Sequence, residues 1–270
     1  MMDTQQIMRT SLKLANFKSV PADSEVHVKG RRICKVLVAI DVGVAELLLA
    51  RNLGCDAVIA HHPAGGKARI DGYKVFLRHI DQLKEAGVPE DIARKAVQPK
   101  LRVLELQHHP DNYDQTPSAA KKLRMPLMSI HSPCDEIGRK MIQNALKGVD
   151  ENSAVKDVVS RIERFPEFRK AASKIEVRLG SPRNRTGNIA ISHAAYTNGG
   201  HEIARTYFQN GIGTLSYIHI AEPDLTRLAN EASGNLVVLG HIASDWLGIN
   251  ALLRELEKKG VEPITTTDLN

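Results

Sequence analysis

Residues 36–66 read VLVAIDVGVAELLLARNLGCDAVIAHHPAGG, and the fold is expected to follow from this stretch. A buried strand is predicted for CKVLVAID (34–41), which is rich in Val and Ile without polar alternation. The next segment, VAELLLARNLG (44–54), predicts a helix that ends at Gly54, and CDAVIAHH (55–62) predicts a second apolar strand. Strand, helix and strand in direct succession form a βαβ unit, so we expect a parallel strand pair in an α/β fold.

The second half of the chain repeats the same order of predicted elements. The segment EIARTYFQNGIGTLSYIHIAEP (202–223) runs through helix, glycine, short strand and histidine, in the order that ELLLARNLGCDAVIAHHP (46–63) follows. Any α/β chain alternates in this way, so two interpretations stay open: ordinary repetition, or a duplicated lobe whose histidine-bearing strand ends face one another. With a division near residue 130, we predict an N-terminal α/β lobe of residues 1–130 and a C-terminal α/β lobe of residues 131–270.

The composition restricts the classes of partner. Of the 270 residues, 42% are hydrophobic and 25% are charged, which is ordinary for a globular protein with a sizeable core. Aromatic residues make up only 4%, so an aromatic platform for single-stranded nucleic acid is not expected. The net charge of +6 permits a small anionic substrate, yet acids alternate with bases even in RIERFPEFRK (161–170), the best local candidate for a nucleic-acid contact. That interleaving is typical of a solvated surface and argues against nucleic acid as a partner.

The cysteines and the apolar runs indicate a cytoplasmic protein. The three cysteines, Cys34, Cys55 and Cys134, are far apart and form no CxxC motif, which favours a reducing compartment over a disulfide framework. No apolar run approaches the roughly 20 residues that span a bilayer, and the first residues lack the apolar core of a signal peptide. We therefore expect no membrane partner.

Histidine carries the first functional signal. Of the eleven histidines, His61 and His62 stand side by side where an apolar strand is expected to end, and Pro63 marks the turn. Neighbouring side chains on a regular strand point to opposite faces, but at the carboxyl end two imidazoles can diverge onto two adjacent centres. The crevice beyond the carboxyl ends of strands is also where open α/β sheets bind ligands. We therefore predict that both histidines bind metal, in preference to the alternative of hydrogen-bonded core histidines.

A second group of ligand-type residues lies in HHPDNYDQT (108–116). This turn-forming sequence offers His108, His109, Asp111 and Asp114. The alternative is that its aspartates only hydrogen-bond their own backbone, as Asx residues in such loops commonly do. Either aspartate could supply a carboxylate to a metal site, so Asp111 and Asp114 are rival candidates.

A third group lies in LGHIASDW (239–246), after the apolar segment NLVVL. If a helix begins here, His241 and Asp245 are four residues apart and face the same way, which suits a pair of metal ligands. The alternative is that Asp245 only caps the first turn of the helix. The three groups together offer imidazoles and carboxylates, a set that suits Zn²⁺, Mn²⁺, Fe²⁺ or Co²⁺ better than Ca²⁺, which prefers oxygen alone. Two such ions, bridged by a carboxylate and a water, would use these ligands economically.

These motifs resemble those of the Nif-three-like family, whose members are historically called GTP cyclohydrolase I type 2 homologues. The resemblance rests on AIDV, LGCDAVIAHHP, the Asn-x-Asp loop and the late Gly-His-x-x-x-acid sequence, and in this order it covers most of the chain. It implies two similar α/β lobes with a dinuclear metal centre between them, assembled as a homohexameric ring. The implied cofactors are two divalent ions of the zinc, manganese, iron or cobalt class.

By position, the resemblance also implies roles for five residues. His61 and His62 would each hold one ion. Asp114 would be the loop carboxylate, and His241 would be the late imidazole. Asp245 stands where the family usually has Glu, and the missing methylene shortens its reach by about 1.5 Å.

We therefore predict a dinuclear metal-binding protein with hydrolase chemistry. The expected substrate is a small molecule that contains phosphate, resembles a nucleotide, or carries a cyclic amide or amidine. His109 is the candidate catalytic acid for the leaving group. Lys67 and Arg69 are candidates to meet an anionic substrate, with a solvated charge pair as the alternative. A non-enzymatic metal-binding regulator or scaffold is the other function considered, because the resemblance implies metal binding more firmly than any reaction.

Overall fold

The computed structural model describes residues 1–231 and 233–269, and its strands form two sheets. The strands of the first sheet are β1 (Glu25–Val28), β2 (Lys35–Ala39), β3 (Ala57–Ala60), β4 (Leu127–Ser129) and β9 (Glu262–Thr265). The strands of the second sheet are β5 (Glu176–Leu179), β6 (Asn188–Ile191), β7 (Ile212–Tyr217) and β8 (Asn235–Val238). In space the first sheet runs β1-β4-β3-β2-β9 and the second runs β5-β8-β7-β6.

Helices connect and cover these strands. They are α1 (Thr4–Ala15), α2 (Val44–Asn52), α3 (Gly66–Asp71), α4 (Arg78–Glu85), α5 (Glu90–His108), α6 (Gln115–Leu123), α7 (Ser132–Ala145), α8 (Val155–Ile162), α9 (Pro166–Lys170), α10 (Gly200–Gln209), α11 (Glu222–Glu231) and α12 (His241–Glu257). A 3-10 helix, Gly72–Leu77, joins α3 to α4. Within the described ranges, none of these helices combines the length and apolar character that crossing a membrane requires.

The βαβ unit expected in the opening stretch is confirmed. β2 and β3 are parallel, with Val36 opposite Ala57 and Ala39 opposite Ala60. All four residues of β3 are buried, and burial on both faces explains why this strand shows no polar alternation. Gly54 lies just past the end of α2 with a φ of 68°, a conformation that residues with side chains rarely adopt. The helix therefore ends where the sequence predicts, and the chain returns parallel to β2.

The two sheets share one topology. Each lobe contributes four strands in sequence, and the first of them runs antiparallel beside the fourth. The fourth, third and second are parallel neighbours, which gives β1-β4-β3-β2 in one lobe and β5-β8-β7-β6 in the other. The two segments that echo each other in sequence contain β3 and β7, which occupy equivalent positions. This correspondence supports a duplicated lobe over ordinary repetition.

The end of the chain crosses the expected boundary between the lobes. β9 pairs in parallel with β2, with Lys35 opposite Glu262, so the last strand lies in the first sheet. α12 buries Trp246 in the core of the first lobe and Leu247 in the core of the second. The division into residues 1–130 and 131–270 stays a prediction for the lobes as a whole, but residues 262–265 pair with the N-terminal one.

α7 and α12 cross where each helix has a glycine. A Cβ on Gly138 would stand 3.3 Å from the carbonyl oxygen of Ser244 and 3.4 Å from the backbone nitrogen of Gly248. A Cβ on Gly248 would overlap the carbonyl group of Cys134, so this position requires glycine. The two backbones therefore pack directly on each other, and the first turns of the two helices come close together.

Gly248→Ala is expected to destabilise the protein. Alanine is favoured over glycine in a helix by about 1 kcal/mol, but its methyl group has no space beside the Cys134 carbonyl. We expect the free energy of unfolding to fall by about 1–3 kcal/mol, the usual cost of overpacking, and the melting temperature to fall in a thermal scan. Gly138→Ala is the matched comparison, because its methyl group would stand 3.3 Å from the Ser244 carbonyl oxygen instead of overlapping a backbone group, and it should lower the melting temperature by less than Gly248→Ala does. Equal melting temperatures for the two variants would contradict the close crossing.

Candidate metal centre

Polar side chains follow the parallel strands of both lobes at a regular distance. After five strands, the residue two places beyond the last strand residue is an aspartate or a histidine: Asp41 (β2), His62 (β3), His131 (β4), His193 (β6) and His219 (β7). His241 follows β8 by three places. All six residues line one cavity of about 220 Å³. The carboxyl ends of the two parallel strand sets therefore face each other across this cavity.

Asp245 lies among three imidazoles. Its Oδ2 atom is 3.3 Å from Nε2 of His241 and 3.7 Å from Nε2 of both His61 and His62. The side chain is only 1% exposed, so the carboxylate meets these rings away from water. The ligand atoms of His62, His241 and Asp245 all lie within 4.8 Å of one another, which makes these residues one candidate group for a metal ion.

Asp135 lies among a second set of imidazoles. Its Oδ1 atom is 3.2 Å from Nε2 of His61 and 3.9 Å from Nε2 of His193. Its Oδ2 atom is 3.6 Å from Nε2 of His131. Nε2 of His61 thus faces both carboxylates, and His61, Asp135 and Asp245 form a second candidate group. A third group joins His61 with His62 and His131, so the cluster is continuous.

The two aspartates occupy equivalent positions, each in the helix that follows the fourth strand of its sheet. HSPCDEIG (131–138) leads into α7 and HIASDWLG (241–248) opens α12, and both follow the pattern His-x-x-x-Asp-x-x-Gly. Histidine and aspartate four residues apart face the same way at the start of a helix. The glycines that close the two patterns are those of the helix crossing. The crossing therefore brings the two carboxylates into one cluster.

Two further carboxylates orient imidazoles of the cluster. Oδ1 of Asp41 lies 2.8 Å from Nδ1 of His62, and Oδ2 of Asp23 lies 2.9 Å from Nδ1 of His131. An ionised carboxylate only accepts hydrogen bonds, so each Nδ1 carries a proton and each Nε2 keeps the lone pair that a metal requires. Asp23 is completely buried and also accepts a hydrogen bond from Ser132, whereas Asp41 is exposed. The ring of His131 is therefore fixed more firmly than that of His62.

The charges of the cluster depend on one another. Burial by itself lowers the pKa of His61, but the carboxylates of Asp245 and Asp135 outweigh burial and hold that pKa well above its ordinary value. Burial raises the pKa of Asp135, yet the neighbouring histidines hold it far below the usual range, so this carboxylate stays ionised. Burial and the nearby His61 and His131 lower the pKa of His62 to about 4. Two buried negative charges thus require positive charge beside them, which protons or a metal ion can supply.

Several buried atoms at this centre lack hydrogen-bond partners. Within the described part of the chain they are Nδ1 and Nε2 of His61, Nε2 of His193, Oδ1 of Asp135 and Oδ2 of Asp245. Leaving a buried polar atom unpaired costs about 1–3 kcal/mol, so such atoms are normally bonded. Nitrogen and carboxylate oxygen atoms that converge without partners form a ligand set for a divalent ion. The residues present therefore fit ions that accept mixed nitrogen and oxygen ligands.

Four of the five predicted ligands belong to these groups: His61, His62, His241 and Asp245. Asp114 belongs to none of the groups found among residues 1–231 and 233–269. It is exposed at the start of α6 and accepts a hydrogen bond from Ser118. Asn112 accepts hydrogen bonds from the backbone nitrogens of Asp114 and Gln115, which is the backbone-turn alternative for this loop. Asp114 therefore lies apart from the candidate groups in this structure, and its role as a metal ligand stays a prediction.

His109, the predicted catalytic acid, also lies apart from the cluster. His109 is exposed at the end of α5 and does not line the cavity, so it is not placed to protonate a leaving group there. The neighbouring His108 points inward instead and is 16% exposed. The rival loop residue, Asp111, hydrogen-bonds to His108 and to Arg69 rather than joining the cluster.

Sequence reasoning missed three residues of the cluster: His131, Asp135 and His193. Two signals could have found them. His131 and His193 stand at the same offset from a strand end as His62 does. Asp135 is the counterpart of Asp245 in the repeated His-x-x-x-Asp-x-x-Gly pattern. Neither signal depends on contacts between distant parts of the chain.

The loop after β6 is held in a strained conformation at the cavity wall. Ala194 and Tyr196 have φ angles of 62° and 73°, in the left-handed region, which costs a residue with a side chain about 1–3 kcal/mol. Side chains of α4 and α5 donate hydrogen bonds to carbonyl oxygens of this loop: Gln82 to His193, His79 to Thr197, and Lys100 to Asn198. These bonds hold the strained backbone in one conformation.

Solved structures resemble the chain over nearly its whole length. A NIF3 superfamily protein from Sphaerobacter thermophilus has 43% sequence identity and a TM-score of 0.94, with 98% of each chain covered. Reduced HcgD from Methanocaldococcus jannaschii has 13% identity and a TM-score of 0.61, with 98% of this chain and 97% of that chain covered. A Bacillus cereus protein related to NIF3 has 10% identity and a TM-score of 0.52, with 99% and 97% covered. The last two show the fold alone. No protein-family model and no curated protein matches the chain.

Acid is expected to destabilise the protein through His79. Burial lowers the pKa of His79 to about 3 in the folded protein, whereas the unfolded chain has a pKa of about 6.5. The unfolded state therefore binds more protons between these values. The contribution of the neutral ring to stability is full above about pH 6.5 and is lost as the pH falls toward 3.

His79→Gln isolates this effect, because glutamine can still donate to Thr197 without titrating. Denaturant unfolding at a series of pH values should show the wild type losing up to about 1.4 kcal/mol more per pH unit than the variant below pH 6.5. Parallel stability curves for the two proteins would rule out His79 as the cause.

Proposed function

The chain belongs to the NIF3 superfamily, and we propose that it is a dinuclear metal-dependent hydrolase of a small phosphate-containing molecule. The observation that carries the proposal is the convergence of two buried carboxylates, Asp135 and Asp245, on Nε2 of His61. Each carboxylate also meets two further imidazoles. This double arrangement supports two ions better than one.

Each aspartate would hold one ion together with its own histidines. Asp245 would act with His62 and His241, whose ligand atoms form one group. Asp135 would act with His131 and His193, which face its two oxygens. His61 would complete one of the two sets, because a single nitrogen atom binds a single ion. Nitrogen and oxygen ligands together suit Zn²⁺, Mn²⁺, Fe²⁺ or Co²⁺.

The cavity supports hydrolysis of a small anion. When bound, divalent ions lower the pKa of water toward neutrality and stabilise negative charge on substrate oxygens. Arg69 lines the cavity beside the cluster. Its Nε donates to Asp111, and its terminal nitrogens show no hydrogen bond to the described residues, so they are available to an anionic group such as phosphate. Lys67, the other candidate from sequence, is exposed and does not line the cavity.

The size of the cavity restricts the substrate further. Its volume of about 220 Å³ is below the range of about 300–1,000 Å³ that is usual for drug-sized ligands. A phosphomonoester or another compact molecule fits this space better than a polymer. A nucleotide-like or cyclic amide substrate would have to extend part of its structure beyond the cavity.

A non-enzymatic metal-binding regulator or scaffold is the second candidate function. The observation that favours it is the deep burial of His61, Asp135 and Asp245, whose side chains are at most 5% exposed. Ions held by such residues could serve structure alone. The homohexameric ring stays a prediction under either function.

Asp245→Asn tests both functions against a matched control, Asp114→Asn. The first substitution removes a buried negative charge beside three Nε2 atoms, and the second removes an exposed charge outside the cluster. Elemental analysis should find two divalent ions per wild-type chain, fewer in Asp245→Asn, and an unchanged content in Asp114→Asn. Hydrolysis of phosphomonoesters by Asp245→Asn should fall by more than the roughly 10–100-fold that loss of an outer-shell partner costs.

The outcomes of these measurements distinguish the hydrolase from the non-enzymatic scaffold. Loss of metal together with loss of hydrolysis supports the hydrolase. Two ions per wild-type chain with no hydrolysis above the level of Asp245→Asn would favour the scaffold. Metal loss in Asp114→Asn but not in Asp245→Asn would contradict the ligand assignment.

A further inference from the structure

A chain of hydrogen bonds leads from the cavity wall into the loop after α5. The hydroxyl of Tyr196 lies 2.7 Å from Nε2 of His108. Nδ1 of His108 lies 2.7 Å from Oδ2 of Asp111, which also accepts a hydrogen bond from Nε of Arg69. Tyr196 and Arg69 line the cavity, whereas His108 and Asp111 lie behind it. The ligand assignment above uses none of these four residues.

The ring of Tyr196 is fixed beside the candidate metal ligands. Its centroid lies 6.0 Å from that of His131 and 5.3 Å from that of His108, in edge-to-face contacts. A Cβ on Gly72 would stand 2.9 Å from the Tyr196 ring, so glycine leaves the space that the ring occupies. Packing on several sides therefore defines where the hydroxyl points.

This placement of Tyr196 requires a strained backbone conformation. A bulky residue at a φ of 73° is strained, and such strain persists where the surrounding structure imposes it, most often at functional sites. The hydrogen bonds from Gln82, His79 and Lys100 impose it here. Glycine at position 196 would relieve the strain but would remove a side chain that lines the cavity.

We propose that Tyr196 is the catalytic residue that protonates the leaving group of the substrate, with His108 and Asp111 acting through it as positioning residues. This inference rests on the proposed hydrolase function. The site takes the role that sequence analysis assigned to His109. It also places the proton donor on the same wall of the cavity as Arg69, the residue proposed to bind the anionic group.

The proton inventory of the relay is balanced. Asp111 accepts the Nδ1 proton of His108. For the proposed transfer, the acid form of the relay carries a second proton on Nε2, the atom that faces the Tyr196 oxygen. Tyr196 then donates its own hydrogen to the substrate. When water attacks phosphorus, the electron pair of the scissile P–O bond passes to the leaving oxygen. That oxygen takes the proton of Tyr196, and Tyr196 takes the proton of His108.

The cycle closes with solvent. The proton released by the attacking water passes to solution, and a proton from solution replaces the one that Nε2 of His108 has given to Tyr196. Burial raises the pKa of Tyr196 above its ordinary value, but Tyr196 stays neutral before and after the transfer, so no phenolate has to form. The charged groups that act on this pair are Asp111, Arg69 and Asp23.

The dependence of the rate on the leaving group tests this role. A good leaving group needs no proton, whereas a poor one does, so phenyl phosphate and 4-nitrophenyl phosphate form the test pair. The leaving group of phenyl phosphate resembles a tyrosine side chain, with a pKa of about 10, and 4-nitrophenolate leaves much more easily. Both are assayed on the metal-loaded protein with its metal content measured.

Tyr196→Phe should lower kcat/KM for phenyl phosphate by about 100-fold or more, the usual contribution of a general acid, and should leave 4-nitrophenyl phosphate nearly unchanged. His108→Gln should show the same selectivity. Tyr113→Phe is the matched control, because Tyr113 is exposed and does not line the cavity. A second readout does not depend on activity: the ring nitrogen resonances of His108 in NMR spectra should shift in Tyr196→Phe and stay in place in Tyr113→Phe.

Three results would overturn the inference. An equal loss on both substrates would assign Tyr196 a merely structural role, and unchanged rates on both would remove any role. Unchanged His108 resonances in Tyr196→Phe would deny the hydrogen bond itself. If the wild type binds two ions but hydrolyses neither ester above the level of Asp245→Asn, the proposed hydrolase function fails, and the inference fails with it. The first three results leave that function standing, so the two failures are distinguishable.

Discussion

The close crossing of α7 and α12 is the contact on which the metal centre depends. Gly138 and Gly248 let the two backbones pack directly on each other. Asp135 and Asp245 lie three residues before these glycines, so the approach of the backbones brings both carboxylates to His61. A side chain at the crossing would separate the helices and the carboxylates together. Because α12 also packs in the cores of both lobes, the same contact fixes how the lobes face each other.

The two sheets share one topology, but the residues that follow their equivalent strands differ. β3 is followed by His61 and His62, whereas the equivalent strand β7 is followed by His219. His219 packs against His241 with ring centroids 5.0 Å apart and is bonded through Nδ1 to a loop amide. The second lobe instead contributes the strained loop that carries Tyr196. The candidate ligands follow strands of both sheets, and Arg69 and Tyr196 line the cavity between them.

Without bound ions, the residues of the candidate metal centre lower the stability of the folded protein. Asp135 and Asp245 are buried carboxylates, and both ring nitrogens of His61 lack hydrogen bonds. Tyr196 has a left-handed backbone conformation. Each of these features reduces the stability of the fold. The surrounding structure compensates with fixed contacts: Asp23 holds His131, and side chains of α4 and α5 hold the loop after β6. Strain of this kind is found most often at functional sites, and the candidate metal centre and the strained loop line the same cavity.

The sequence by itself determined the features that depend on neighbouring residues. Burial on both faces marks β2 and β3, Pro63 marks the turn after His61 and His62, and the spacing of His241 and Asp245 follows from a helix start. Only the tertiary structure decided which ligand-type residues meet. The loop of Asp114 is as rich in such residues as the candidate cluster, but its aspartate is exposed. Asp135 reaches the cluster through the crossing of α7 and α12, where Gly138 and Gly248 meet although they are 110 residues apart in sequence. Composition cannot distinguish the two cases, because convergence depends on backbone packing between distant segments.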